Sequence, residues 1–162
     1  MRKLNAGLNL CATILLAIVL VSGCKKEVVT YTAENEIVKI KDWLEAMTSN
    51  KYNIDTTSTG LFYIVETAGT GRTVQTGDTV TVQYIGMFLD GTIFDSSASV
   101  TYIHKATGQR RIQGWEEGIE VLNKGEVATF LIPSAKAYGS YGYSFIPPFT
   151  PLLFTIGIVN IK

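Results

Sequence analysis

Beyond Gly60 the sequence is written in the two-residue period of β structure, and this pattern restricts the fold more than any other feature of the chain. Leu61, Tyr63 and Val65 alternate with Phe62 and Ile64. Thr79 to Phe88 is rich in Val, Thr, Tyr and Ile, and Val127 to Ile132 and Leu152 to Ile161 repeat the theme. Asp90-Gly91 lies between Gly86-Met87-Phe88-Leu89 and Thr92-Ile93-Phe94, a two-residue hairpin signal because both turn positions tolerate positive φ. One helical segment breaks the series: Trp115, Ile119 and Leu122 share a face, and Asn123-Lys124-Gly125 supplies a stop. A sheet must cover its apolar face, and this is the one helix within the β region to do so. The expectation is an α+β fold, a bent antiparallel sheet making a half-barrel around one short helix.

Ahead of the strands, a helix is expected from Thr32. Thr32 can cap it, Glu34 and Glu36 suit the positive end of its dipole, and Ile37, Ile40, Leu44 and Met47 recur at helical spacing with Trp43 alongside. Thr48-Ser49-Asn50 ends it, and residues 55–60 form a polar connector. The apolar stripe is expected to pack on its own domain, with a homodimer as the alternative.

The N-terminus reads as a secretory signal: Arg2 and Lys3, an apolar stretch dense from Leu10 to Val21, then Ser22-Gly23-Cys24. The apolar run falls short of the roughly 20 residues of a spanning helix. Val21-Ser22-Gly23-Cys24 resembles a bacterial lipobox, which implies cleavage after residue 23 and lipid on Cys24; an ordinary signal peptide is the alternative. Cys11 would leave with the signal and Cys24 would be acylated, so neither a disulfide nor a metal–thiolate site is expected. With Arg2 and Lys3 gone, 12 basic residues face 14 acidic ones, a net charge of −2. That balance gives no reason to expect nucleic acid as a partner. Lys25 and Lys26 suit anionic head groups. The organisation expected is a signal at 1–23, a lipid-anchored tether and helix at 24–59, and one domain at 60–162.

Conventional catalytic parts are missing from the sequence. There is one histidine, His104, which reads as a solvated or structural residue, and there is no nucleophile elbow, phosphate loop or metal-ligand spacing. No cofactor and no metal are expected. What the chain offers instead is aromatic and branched side chains set among glycines and prolines: Tyr84, Phe94, Ile112, Trp115, Tyr138, Phe145, Ile146 and Phe154.

Five blocks in order resemble the FKBP family of prolyl isomerases from about Leu61 onward. They are Val82-Gln83-Tyr84-Ile85-Gly86; Leu89-Asp90-Gly91-Thr92-Ile93-Phe94-Asp95-Ser96-Ser97; Ile112-Gln113-Gly114-Trp115-Glu116-Glu117-Gly118; Ile132-Pro133 with Ala137-Tyr138-Gly139; and Ile146-Pro147-Pro148 with Leu152-Leu153-Phe154. The resemblance implies that Tyr84, Phe94, Asp95, Ile112, Trp115, Tyr138, Ile146 and Phe154 line a proline pocket. Trp115 would be its floor and Phe94 and Phe154 its walls. The Ile112 N–H and the Tyr138 hydroxyl would meet substrate carbonyls, and Asp95 would orient polar groups at the rim. Asp95-Ser96-Ser97 also reads as a local turn after a strand. Glu116 and Glu117 are expected to favour the helix start, and Gly114 and Gly118 to permit close packing.

The segment after Asp95 looks shorter than in many members, the usual basic partner of the aspartate has no evident match, and either Tyr102 or Ile103 completes the wall. Tyr143 stands near a position where the family often has histidine. The implied activity is proline isomerisation on extracytoplasmic polypeptides. A proline-binding chaperone with little turnover, or a lipoprotein binding an unrelated small molecule, are the alternatives.

Overall fold

The computed structural model describes residues 30–108 and 111–162, so the expected signal segment and Cys24 lie outside the described residues. Helix α1 spans Ala33–Ser49. Strands β1 (Asp55–Thr56), β2 (Phe62–Thr67), β3 (Thr70–Thr73), β4 (Thr79–Phe88) and β5 (Ile93–Ile103) follow, then helix α2 (Gln113–Ile119), β6 (Asn123–Lys124), β7 (Val127–Ile132) and β8 (Leu152–Ile161). Six strands form one antiparallel sheet in the order β1-β2-β7-β8-β4-β5, and β3 pairs with β6 in a separate ribbon. The expected α+β architecture is present, with α2 set against the apolar face of the sheet.

Alternating side chains of the central strands meet the helix. Phe130 and Ile132 of β7 and Phe154 and Ile156 of β8 join Trp115 and Ile119 in one buried cluster. Each large apolar side chain removed from water contributes about 1.5–3 kcal/mol. Approach is closest at Gly114, where a Cβ would fall 2.4 Å from Ile132 Cγ2; a Cβ on Gly118 would press on the Phe130 ring at 3.1 Å.

Carboxylates fasten α2 on two sides. Glu117 accepts from Lys136 Nζ, Thr59 Oγ1 and Gln113 Nε2, each at 2.6 Å. On the other side His104, fully buried, sets Nε2 3.0 Å from Glu120 Oε1 and Nδ1 2.6 Å from Glu116 Oε2. The second approach is short yet not aligned as a hydrogen bond. Lys105 also reaches Glu120, at 2.8 Å. His104 is therefore structural, and Glu116 and Glu117 do more than favour a helix terminus.

Four local expectations are corrected. The β4–β5 loop is not a two-residue turn: Phe88 N–H bonds the Thr92 carbonyl, Asp90 Oδ1 accepts from Thr92 N–H, and only Gly91 has positive φ. Asp95-Ser96-Ser97 is not a turn but part of β5, paired with Gly86, Ile85 and Tyr84. The extra residue is absorbed as a bulge after Ser97, between the Tyr84 and Val82 pairings. Helix α2 starts before Trp115 and ends at Ile119, and Asn123–Lys124 is a strand paired with Thr70 and Thr73. In α1, Ile40, Trp43, Leu44 and Met47 are half-covered, but Ile37 of the expected stripe is 67% exposed.

The buried residue of α1 is Glu36. It accepts from Ser134 N–H at 2.5 Å and Ser134 Oγ at 2.6 Å, anchoring the helix beside the 3₁₀ turn Ser134–Lys136. The cap is as expected, Thr32 Oγ1 accepting from Asn35 N–H.

Burial pushes the Glu117 and Glu120 carboxyls up, but hydrogen bonds outweigh it and hold both below their ordinary value. The donors are Lys136, Thr59 and Gln113 on Glu117, and Lys105 and His104 on Glu120. A depressed folded-state pKa contributes stability above the unfolded value and loses it as pH falls through the folded one. Urea midpoints of the chain should thus drop between roughly pH 5 and pH 3. The Glu117→Gln/Glu120→Gln variant, weaker at neutral pH, should show a shallower acid loss; parallel profiles would contradict this assignment.

Candidate functional site

The site is assembled by strand alternation on one side and by α2 on the other. Gly86 of β4 is flanked by Asp95 of β5 and Phe154 of β8. Its missing side chain leaves room for two rings: a Cβ there would lie 2.8 Å from Phe154 and 2.9 Å from Phe94. The two rings meet edge-on, with centroids 5.5 Å apart at 84°. Trp115, from α2, presents its indole to Phe154 at 5.5 Å and 90°, and to Tyr84 at 5.0 Å and 88°. Such edge-to-face contacts place positive ring edges on negative faces and fix ring orientation.

These rings border an open pocket of about 660 Å³, with Tyr84, Asp95, Ile112, Trp115, Tyr138 and Phe154 all at its lining. Six of the eight residues expected at the site are thereby brought together. Phe94 backs the wall through Phe154. Ile146 does not reach the lining; it is 5% exposed and belongs to the buried core.

The lining also includes Val100, Arg111, Gln113, Ala137 and Tyr143. Val100 and Tyr102 share the inward face of β5, and of the strand's residues at that end it is Val100 that lines the pocket, with neither Tyr102 nor Ile103 in the lining. Tyr102 is 6% exposed beneath the floor and Ile103, 46% exposed, faces out. The Trp115 indole Nε1–H donates to the Tyr102 hydroxyl at 2.7 Å, so the floor cannot rotate without breaking a buried hydrogen bond. Arg111 lays its guanidinium 3.3 Å from the centre of the Tyr102 ring. Its place in the chain, directly before Ile112, was the signal that could have flagged it.

Polar groups are concentrated at the rim. Tyr84 donates its hydroxyl to Asp95 Oδ2 at 2.9 Å. Burial, with the Asp95 hydrogen bond and charge, pushes the Tyr84 hydroxyl up to about 12. Tyr138 stacks on Tyr143, centroids 5.1 Å apart at 14°, and burial, with the neighbouring Tyr143 and Asp95, raises its hydroxyl as well. Both hydroxyls stay protonated, and hence able to donate, through neutral and mildly alkaline pH. Among the described residues no group of three or more His, Cys, Asp or Glu is placed to hold a metal ion, and no helix is long and apolar enough to cross a membrane. Chemically the arrangement can exclude water from a small apolar ring, and it can offer hydroxyl donors at the rim.

Comparison with known proteins agrees with this geometry. The profile of the family described as FKBP-type peptidyl-prolyl cis-trans isomerase matches residues 70–159. A probable FKBP-type peptidyl-prolyl cis-trans isomerase of Haemophilus influenzae is 32% identical over 146 residues, covering 90% of this chain and 59% of that protein. FkpA of Escherichia coli is 36% identical over 130 residues, covering 80% of this chain and 47% of the relative. Its crystal structure superposes with a TM-score of 0.65, 30% sequence identity, and coverage of 80% of this chain and 62% of that one. A Pseudomonas syringae peptidyl-prolyl cis-trans isomerase structure gives a TM-score of 0.66 at 28% identity, covering 83% and 98%. The chain spans about half the length of the two relatives matched by sequence. On the match across residues 70–159 and the aromatic pocket those residues build, the chain belongs to the FKBP-type peptidyl-prolyl cis-trans isomerase family.

Proposed function

We propose that this chain catalyses cis/trans isomerisation of X-Pro bonds in extracytoplasmic polypeptides, without covalent chemistry. The observation that carries the reading is the ring-lined pocket floored by Trp115. Rotation about an X-Pro bond has a barrier of roughly 18–20 kcal/mol, because the planar amide is stabilised by resonance. Uncatalysed exchange takes tens to hundreds of seconds, slow enough to limit folding. At the twisted transition state the C–N double bond and part of the amide's charge separation are lost. An apolar, water-poor cage therefore disfavours the planar ground state relative to the twisted one.

Residues divide the work. Trp115, Phe154 and, behind them, Phe94 hold the prolyl ring and exclude water. The Tyr138 hydroxyl and the Ile112 N–H hydrogen-bond substrate carbonyls, which favours the twisted form by about 1–3 kcal/mol for each donor. Asp95, held by Tyr84, orients the polar rim. Tyr143, stacked on Tyr138, keeps that hydroxyl in place. The raised values of Tyr84 and Tyr138 mean that no donor is lost below about pH 10.

The same reading extends to the chain's placement. Residues 1–23 act as an export signal, residues 24–59 form a lipid-anchored tether and helical extension ahead of the isomerase domain of 60–162, and Cys24 carries lipid that holds the protein to an envelope membrane. The order Arg2-Lys3, the apolar run to Val21 and Ser22-Gly23-Cys24 support it.

On a short Xaa-Pro peptide the chain should accelerate cis-to-trans exchange, with kcat/KM flat from roughly pH 6 to 9. Trp115→Ala should lower it at least about tenfold and Tyr138→Phe by about five- to tenfold, with the fold retained by circular dichroism. Peptide binding without acceleration in the wild type would instead favour a binding module. Fatty-acid labelling in a bacterial host should mark the wild type and spare Cys24→Ser; label persisting on that variant would refute the anchor.

A further inference from the structure

A second cleft, of about 860 Å³, lies between α1 and the tip of the β4–β5 hairpin. Its lining includes Trp43 and Met47 from α1, Phe88 from β4, and Phe145, Pro147 and Pro151 from the loop before β8. Charges of both signs, on Lys39, Asp42 and Asp90, also border it. An apolar trough whose border carries one cation and two carboxylates, set apart from its ring and thioether lining, suits a peptide segment with bulky apolar side chains better than it suits an ion. The α1 wall is fixed, since Glu36 pins the helix to Ser134.

The cleft is continuous with the proline pocket through a single ring. Phe94 touches Phe154 of the pocket at 5.5 Å and, on its other side, Phe88 and Phe145 of the cleft at 5.1 and 6.5 Å. Phe145 is 64% exposed, turned outward by a tight bend in which Tyr143 and Ile146 exchange backbone hydrogen bonds and Ser144 takes φ 54°. It forms an aromatic ledge between the two sites. The contacts limit the path from Phe154 to Phe145 to about 12 Å between ring centres, roughly three to four residues of extended chain.

We propose that this cleft is a second subsite for the client polypeptide whose proline occupies the pocket, binding an aromatic or large apolar side chain about three to five residues along the chain. It rests on the isomerase reading above and adds a substrate class: prolines flanked by apolar sequence, as exposed by incompletely folded chains. A client must leave the pocket on both sides, and the ledge gives one flank an apolar surface to follow.

The test uses the full chain and two peptides. One is Ala-Leu-Pro-Phe; the other adds a six-residue extension, on either end in turn, with Phe four residues from the proline. Exchange is read by NMR and affinity by fluorescence anisotropy. One extension should raise kcat/KM about tenfold in the wild type. The Trp43→Ala/Met47→Ser variant should lose that gain yet match the wild type on the tetrapeptide. Equal gain in both proteins, or none with either extension, would overturn the subsite. So would sedimentation showing that the variant dissociates a dimer, which would assign the cleft to a second copy. Extended-peptide binding that depends on Trp43 without turnover of either peptide would sink the isomerase reading while keeping the subsite.

Discussion

The buried hydrogen bond from the Trp115 indole to the Tyr102 hydroxyl fixes the ring at the meeting of core and pocket. Trp115 is 6% exposed and sits at the meeting point of α2 and the sheet, where it lines the open pocket. The hydroxyl beneath it satisfies the one polar atom of the side chain, which would otherwise be costly to bury, and fixes the ring as a floor. Burial pushes the Tyr102 hydroxyl up to about 12, so this support does not titrate in the physiological range.

That bond holds only if α2 and β5 keep their relative position, and most of the polar structure serves this end. Glu117 ties the helix to Thr59 and Lys136, while Glu116 and Glu120 close on His104, next but one to Tyr102. Gly114 and Gly118 let α2 sink onto β7, and Gly86 lets Phe94 and Phe154 meet. Ser134 adds a link outward, since the turn that leads to Tyr138 also receives Glu36 of α1. The pocket, the turn and the N-terminal helix are therefore one mechanical unit.

The strands β4, β7 and β8 were legible to the residue, because long runs of branched and aromatic side chains leave little choice. Helix α1 was also legible, through the Thr32 cap. What escaped were features decided by partners distant in sequence. Asn123–Lys124 looks like a helix stop until Thr70 and Thr73 are there to pair with it. Asp95-Ser96-Ser97 has turn composition, yet β4 holds it in a strand and a bulge takes up the mismatch. His104 gave no hint of its carboxylate cage, since Glu116 and Glu120 lie more than ten residues away. At the site the pattern of rings was readable. The position of Ile146 behind the lining, and of Arg111 on Tyr102, depended on packing that no local pattern encodes.

Tyr102→Phe tests the floor most directly, because it removes one oxygen from beneath Trp115 and leaves every residue of the pocket lining unchanged. With cooperative unfolding and near-UV circular dichroism confirming a folded chain, kcat/KM on a short proline peptide should fall about fivefold or more as the indole loses its acceptor. An unchanged kcat/KM in the folded variant would contradict the claim that this buried bond shapes the pocket.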